Sequence, residues 1–269
     1  MGEDVSLFRR EGEEFLANTC ACGPWGPTAL AGGAVLSLLG HVLEDVPSLV
    51  PMSLSRMTVD LMRPVPLDQP LRIETEIRRD GRKLQVVDLV VKAGDTEHAL
   101  ARALRIRDTD VESVLGEALP SAALSHPVIP PPEHFQNLIP TNMGTGFIPR
   151  GIDYVRSPEF ENGLNTIWMR LRVPVIEGEK VRATSLATVP MDVVNLIGYS
   201  LDVAKATAIN ADVSAHIMRY PVGDWVAITG NTDVDSTIGH GVSMGTLSDR
   251  EGVFGSTSMV QVVDPAKKR

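Results

Sequence analysis

The residues best suited to chemistry in this chain lie in the stretch NADVSAHIM, Asn210 to Met218. Side chains alternate across a strand, so all the polar residues of this stretch would point to one face. They are Asn210, Asp212, Ser214 and His216. A carboxylate on such a face can take a proton from water when partial burial raises its pKa. The pattern is also typical of the solvent-facing side of an antiparallel sheet, and the residues alone leave both interpretations open.

Other kinds of site have no matching pattern. The remaining histidines show neither His-x-x-x-His nor carboxylate spacing, so we predict no metal and no cofactor. They are His41, His98, His126, His134 and His240. We do not predict a Ser-His-Asp triad. The only two cysteines, Cys20 and Cys22, are too close in sequence for an unstrained disulfide and are predicted to be reduced.

Composition narrows the class of protein. The formal net charge of −9 argues against non-specific nucleic-acid binding, which requires a basic surface. The charged N-terminal stretch MGEDVSLFRREGEEF is unlike a signal peptide, and no apolar run approaches the length of a membrane span. We therefore expect a cytoplasmic protein without a membrane span.

Two segments of the chain resemble each other. VDLMRPVPLDQPLRI (Val59 to Ile73) and SAHIMRYPVGDWVAI (Ser214 to Ile228) both carry Met-Arg, a proline, a turn acid and an apolar strand. Each is followed by strand candidates separated by glycine-containing turns. The pattern predicts an internal duplication of about 110 residues.

An apolar helix candidate precedes each repeat: Thr28 to Val46, and Met191 to Ile209. The first is apolar almost all round, which predicts a buried helix. The pair Gly32-Gly33 near its start predicts close approach by another backbone or a ligand, with a tight helix–sheet contact as the alternative. Asp192 suits the first turn of the second helix on dipole grounds, and a role in holding substrate would be additional.

The stretch EALPSAALSHPVIPPPEHFQNLIP between the halves is proline-rich, which excludes a continuous helix or a central strand. It predicts a linker, with an N-terminal domain over residues 1–120 and a linker plus C-terminal domain over 121–269. Each half would be one long buried helix wrapped by a curved antiparallel sheet, an α+β architecture used twice.

Three segments together resemble the double-hotdog, thioesterase-like family that is similar to bacterial acyl-CoA thioesterase II. They are GPWGPTALAGGAVLSLLGHVLE, TVDLMRPVPLDQPLRIETEIRRDGRKLQVVDLVV and NADVSAHIMRYPVGDWV. The resemblance covers both halves outside the linker and the termini. It implies a tandem hotdog fold, binding of acyl-CoA at the seam between the halves, and hydrolysis to free acid and CoA in lipid metabolism. It also implies further association, so we expect a homo-oligomer.

The resemblance further implies a water oriented by an Asp, a hydroxyl and a Gln. The Asp matches Asp212, and the hydroxyl matches Thr232, with Thr229 or Thr237 as alternatives. The position expected for the Gln is occupied by Met259. Gln261 follows two residues later on the same strand face, roughly 6.8 Å further along.

Several other residues would contact the substrate. The predicted substrate-binding residues are Trp25, Gly32, Gly33, Asn210, His216 and Met259. Where the family's helix often begins His-Gly-Gly, this chain has Ala31, so both Ala31 and Met259 remove polar groups. These departures motivate a second hypothesis, a catalytically weak or inactive protein that binds acyl-CoA or an acyl chain. An enoyl-CoA hydratase is disfavoured, since neither long helix begins with Asp-x-x-x-x-His.

Overall fold

A computed structural model describes residues 5–24, 26–111, 113, 129–135, 146–156, 165–194 and 205–266. Within these residues thirteen strands form one antiparallel sheet. Those of the first half are β1 (Phe8–Glu11), β2 (Glu14–Ala17), β3 (Met52–Leu61), β4 (Leu71–Asp80), β5 (Leu84–Ala93) and β6 (Thr96–Arg107). Those of the second half are β7 (Ile152–Arg156), β8 (Asn165–Leu171), β9 (Ala206–Asn210), β10 (Asp212–Ile217), β11 (Val226–Asp235), β12 (His240–Asp249) and β13 (Gly252–Pro265).

The strands follow the order β1-β2-β4-β5-β6-β3-β10-β13-β12-β11-β8-β7, and β9 pairs with β13 outside this path. The two halves therefore meet where β3 pairs with β10. Alternation decides which face of each strand is buried. In β10, Val213, Ala215 and Ile217 face the core, while the side chains between them face outward.

The register of the sheet supports the predicted duplication. Thr58 pairs with Ser214, and their hydroxyls are 3.1 Å apart. Ser214 follows Thr58 by 156 positions. Corresponding residues of the two halves are separated by the same interval in strand pairs beyond β3 and β10. The pair Leu54–Arg105 in the first half corresponds in this way to Asn210–Gln261 in the second. An approximate twofold axis thus passes between β3 and β10.

The first predicted helix is shorter than expected. Helix α1 runs over Gly32–Asp45, because Ala29 and Leu30 form extended bridges with Pro66 and Cys22. Eleven consecutive residues of α1, from 33 to 43, are buried, as its apolar composition predicted.

The prediction of a second helix over Met191 to Ile209 is wrong at the C-terminal end. Helix α2 lies earlier, over Ala183–Thr188, and a single tighter helical turn, Val189–Val193, follows it. Residues 195–204 lie outside the described residues. Residues 206–209 belong to β9, because their backbone pairs with β13 and completes that side of the sheet.

Helix α2 packs against α1. Gly40 makes this close packing possible, since a Cβ at that position would lie 2.6 Å from the Thr188 hydroxyl. One apolar core joins α1, the turn after α2 and the inner faces of strands from both halves. Among the described helices, none has the length and apolarity that crossing a membrane would require.

Part of the predicted linker is described. The carbonyl of Pro130 accepts a hydrogen bond of 2.9 Å from the Trp168 indole of β8. Glu133 forms an ion pair with Arg250, at the turn between β12 and β13. Residues 129–135 are therefore fastened to the second half of the sheet. The boundary near residue 120 stays a prediction.

Candidate functional site

A carboxylate, an amide and a helix N-terminus meet in the interior. The turn after α2 carries Asp192 to the start of α1, where its Oδ2 accepts a hydrogen bond of 3.0 Å from the backbone N–H of Gly33. The last residue of β9, Asn210, donates its side-chain N–H to Asp192 Oδ1 at 2.6 Å. Asp192 is thus held by one group from each half of the chain.

The Gly32-Gly33 pair is required by this arrangement. A Cβ on Gly32 would overlap the Asp192 carboxylate, and one on Gly33 would lie 2.8 Å from the ring of Phe147. The groups that approach the start of α1 are therefore a carboxylate, an aromatic ring and the backbone carbonyl of Val189, which would lie 3.3 Å from a Cβ on Gly33. Close approach by another backbone is thus as the sequence predicted.

The electrostatics of Asp192 suit a general base. Burial raises the pKa of its carboxyl to about 6, and the hydrogen bonds from Asn210 and Gly33 partly offset that rise. The partial positive charge at the N-terminus of α1 also favours the ionised form. A carboxyl with this pKa is mostly ionised at neutral pH yet accepts a proton readily, as general base catalysis requires.

A line of hydrogen-bonded side chains extends from Asp192 across the inner face of the sheet. The side-chain N–H of Gln261 in β13 donates to the side-chain oxygen of Asn210, Oδ1, at 3.1 Å. Ser243 of β12 donates to Gln261 Oε1 at 3.2 Å, and the Thr232 hydroxyl of β11 lies 2.6 Å from that of Ser243. Gln261 is 1% exposed and Ser243 is 0% exposed, so the line is closed to solvent along much of its length.

Several residues predicted from the sequence lie in this cluster. Asn210, Thr232 and Gln261 are members of the hydrogen-bonded line, and Gly32 and Gly33 form the helix start beside it. Gln261 reaches Asn210 because the two residues are direct partners between β13 and β9. No bulge is needed for this contact.

Asp212 lies elsewhere. Its carboxylate accepts a hydrogen bond of 2.7 Å from the backbone N–H of Val260, on the side of the sheet opposite to Val213 and the core. The predicted continuous strand is interrupted at Ala211, so Asn210 and Asp212 turn to opposite faces. The structure therefore does not bring Asp212 together with Thr232 and Gln261.

The remaining predicted residues are dispersed. His216 is exposed on the outer face of β10, and Met259 is buried in the core opposite Ser243. Thr229, an alternative hydroxyl, bonds to Thr166 at 2.7 Å, and the other alternative, Thr237, bonds within its own turn. Trp25 lies outside the described residues.

The sequence interpretation placed Asp192 at a helix start, with a role in holding substrate as an addition. A signal for a deeper role was present in the stretch VPMDVV, where the aspartate has buried apolar neighbours on both sides. An acid in such surroundings needs buried hydrogen-bond donors, and the paired glycines elsewhere in the chain indicated a helix start that a side chain could approach.

Two further features define the surroundings. In the part of the chain that the structure describes, no three His, Cys, Asp or Glu side chains lie close enough to hold a metal ion. A cavity of about 370 Å³ lies on the outer face of β10 to β13, lined by His216, Ser256, Thr246 and Ile129 among others. It is on the side of the sheet away from Asp192.

Comparison with known proteins agrees with this architecture. Residues 22–106 match the family model described as the acyl-CoA thioesterase N-terminal domain. An acyl-CoA thioesterase II from Mycobacterium marinum has a similar structure, with 13% identity, a TM-score of 0.65, and coverage of 97% of this chain and 96% of the other. A tesB protein from Mycobacterium avium subspecies paratuberculosis is 14% identical, with a TM-score of 0.66 and 96% of each chain covered.

A third structure is a conserved protein of unknown function with a hotdog fold from Alicyclobacillus acidocaldarius. It is 13% identical, with a TM-score of 0.69 and 97% of each chain covered. No match was found among curated proteins. The resemblance to the thioesterase-like family is therefore confirmed, and the chain has the large antiparallel sheet of hotdog-fold proteins.

Proposed function

We propose that this protein is an acyl-CoA thioesterase that hydrolyses a fatty or related acyl-CoA to the free acid and CoA, with Asp192 as the general base. One observation carries the proposal. The half-buried carboxylate of Asp192 is held between the N-terminus of α1 and the amide of Asn210. The family match over residues 22–106 includes this helix and supports the same class of reaction.

The proposed step follows from the chemistry of a thioester. A water molecule gives a proton to the Asp192 carboxylate while its oxygen bonds to the carbonyl carbon. The tetrahedral intermediate then loses the carbon–sulfur bond, leaving the free acid. The CoA thiolate departs and takes up the proton, which returns Asp192 to its ionised form. The positive end of α1 favours the negative charge that passes through this region during the reaction.

Asp192 is a better candidate for the base than Asp212. It is the carboxylate that faces the interior, next to a helix N-terminus, and burial raises its pKa to about 6. Asp212 instead holds a strand N–H on the outer face, which is a structural task. Asn210 contacts the proposed base directly, and Gln261, the glutamine nearest to the position that the resemblance implied, contacts Asn210.

We further propose that the fold is a tandem hotdog. The approximate twofold axis between β3 and β10, with its constant interval of 156 positions from Thr58 to Ser214, supports two related units in one chain. A homo-oligomer and a cytoplasmic location stay predictions.

The experiment measures release of free thiol from acyl-CoAs that range from short to long and include branched and aromatic acids. The wild-type chain is compared with Asp192→Asn and with Asp212→Asn. We expect Asp192→Asn to lose at least about 10²-fold in kcat/KM, because the water loses its proton acceptor. Asp212→Asn, the matched control on the other face, is expected to lose much less.

Each opposite outcome has a definite meaning. Equal rates for Asp192→Asn and the wild type would disprove Asp192 as the base, and a collapse only in Asp212→Asn would restore the assignment made from the sequence. Binding of acyl-CoA by the wild type without thiol release would identify a non-catalytic binding protein.

A further inference from the structure

The buried hydroxyl of Ser243 contacts the acceptor end of the Gln261 amide. Ser243 Oγ donates to Gln261 Oε1 at 3.2 Å, and the other end of that amide donates to Asn210. An amide group that turns by 180° exchanges its donor and its acceptor. A hydroxyl can donate or accept, whereas an ionised carboxylate only accepts. Asn210 therefore offers N–H to Asp192 and its side-chain oxygen to Gln261, and Gln261 Oε1 then needs a donor, which Ser243 supplies.

The orientation of both amides matches the ionised Asp192 carboxylate. Because Gln261 offers N–H to the Asn210 oxygen, Asn210 in turn offers N–H to the Asp192 carboxylate at 2.6 Å. An ionised carboxylate accepts hydrogen bonds and donates none. The favourable contact at Asp192 thus depends on both amides keeping their present orientation.

Thr232 completes the direction at the far end. Ser243 has one hydroxyl proton, which it gives to Gln261, so the contact of 2.6 Å between the two hydroxyls has Thr232 as the donor. Every hydrogen bond from Thr232 to Asp192 then points the same way.

We propose that Ser243 is a positioning residue, whose hydroxyl supplies the donor that holds the Gln261 amide in this orientation and thereby keeps the Asn210 donor on the Asp192 carboxylate. This inference rests on the proposed function of Asp192 as the base.

The first half of the chain shows that the fold itself does not require a hydroxyl there. At the interval of 156 positions, the counterpart of Ser243 is Val87, which is buried in the core. The counterparts of Gln261 and Asn210 are Arg105 and Leu54. The polar line is therefore confined to the half that carries Asp192.

Removal of the Ser243 hydroxyl should have a specific effect on the base. Gln261 would lose a hydrogen bond at Oε1, so Gln261 and Asn210 would be held less firmly. The hydrogen bond from Asn210, which lowers the pKa of Asp192, would weaken, so that pKa would rise. A mere loss of packing would reduce activity without moving that pKa.

The experiment measures kcat/KM against pH for thiol release by the full chain, in wild type and Ser243→Ala. We expect the acidic limb of the profile to move upward by about 0.5 to 1 pH unit in Ser243→Ala. Activity should therefore fall roughly 3- to 10-fold on the acidic limb and recover toward the wild-type value at higher pH. Titration of the Asp192 carboxyl carbon by ¹³C NMR measures the same shift without substrate.

Three other variants sharpen the test. Thr232→Val removes a buried hydroxyl of the same line but leaves the Ser243 donor, so its shift should be smaller than that of Ser243→Ala. Ser258→Ala, on the exposed face of β13, should leave the profile unchanged. If Ser243→Ala does not fold, Ser243→Cys keeps the volume with a weaker donor and should move the limb in the same direction.

The outcomes separate the two proposals. An unshifted limb and an unshifted NMR titration in the Ser243 variant would overturn the positioning role, as would an equal shift in Thr232→Val. A shifted NMR titration in a protein whose Asp192→Asn variant remains fully active would support the positioning role and refute Asp192 as the base.

Discussion

Asp192 should contribute a fall in the free energy of unfolding as pH rises from about 4 to about 6. The carboxyl of Asp192 has its pKa raised from 3.8 to about 6 in the folded chain, chiefly because the group is buried. Below about pH 3 the group is protonated in both the folded and the unfolded state and contributes no difference. Between the two values it ionises in the unfolded chain first, which favours unfolding.

The magnitude follows from the size of the shift. One pKa unit corresponds to 1.36 kcal/mol, so a rise of about two units removes about 3 kcal/mol of stability once the pH exceeds 6. That is a large part of the free energy of unfolding of a typical folded domain, which is roughly 5 to 15 kcal/mol. Partial exposure of the residue makes about 3 kcal/mol an upper value.

The assay is urea unfolding of the wild type and Asp192→Asn at a series of pH values from 3 to 8. The stability of the variant relative to the wild type should increase by about 2 to 3 kcal/mol between pH 4 and pH 7, because Asn carries no charge to be buried. The difference measured at pH 3 provides the baseline, since Asp192 is then neutral in both states. A constant difference across the series would refute the reasoning, and a difference that changes in the opposite direction would mean that Asp192 is stabilised in its ionised form.

Two further predictions concern the surroundings of the site. Gly32→Ala should reduce kcat/KM about 10-fold or more and destabilise the fold by about 1 to 3 kcal/mol, because the new Cβ would displace the Asp192 carboxylate. Thiol release measures the first effect and urea unfolding the second. Wild-type values for both would contradict the close approach of Asp192 to Gly32. Arg219→Leu should cost about 3 kcal/mol in urea unfolding, because it leaves the buried Asp249 carboxylate without its ion-pair partner. A change below 0.5 kcal/mol, the usual effect of an exposed substitution, would show that the backbone N–H groups around Asp249 are sufficient.

Periodicity predicted much of the sheet, because a strand buried on one face has to alternate. In β10 the alternation placed Val213 and Ala215 in the core, as the structure shows. The repeated Met-Arg pairs also predicted the duplication, since Met218 follows Met62 by the same interval that separates Ser214 from Thr58. These features depend on local sequence, which the chain displays directly.

The choice between two aspartates could not be made in this way. The period of two holds only along an uninterrupted strand, and the chain breaks its strand at Ala211. There, the N–H of Ala211 bonds to Val260 of β13 while its carbonyl accepts from Leu61 of β3. A residue that bonds to both neighbouring strands in this manner turns Asn210 inward and Asp212 outward. Such a break depends on partners distant in sequence. The period of two alone therefore assigned Asp212 to the same polar face as Asn210, and the folded chain separates the two residues.

The charges around α1 show why the two halves differ. Helix α1 has no acidic residue in its first turn and no basic residue in its last turn, so it does not compensate its own dipole. Asp192 supplies a negative charge at the N-terminus. At the opposite end, Arg105 donates to the carbonyls of Val46 and Pro47 at 2.8 and 3.1 Å.

Arg105 occupies the position in the first half that Gln261 occupies in the second. The same position in the repeated sheet therefore carries a side chain that binds the C-terminal end of α1 in the first half, Arg105. In the second half it carries Gln261, which contacts the Asn210 side chain bound to Asp192. Because α1 provides the N–H group that binds Asp192, a helix fixed at its C-terminus by Arg105 also keeps its N-terminus in place for the proposed base. The first half, which lacks the polar line, would then contribute to catalysis through the position of its helix.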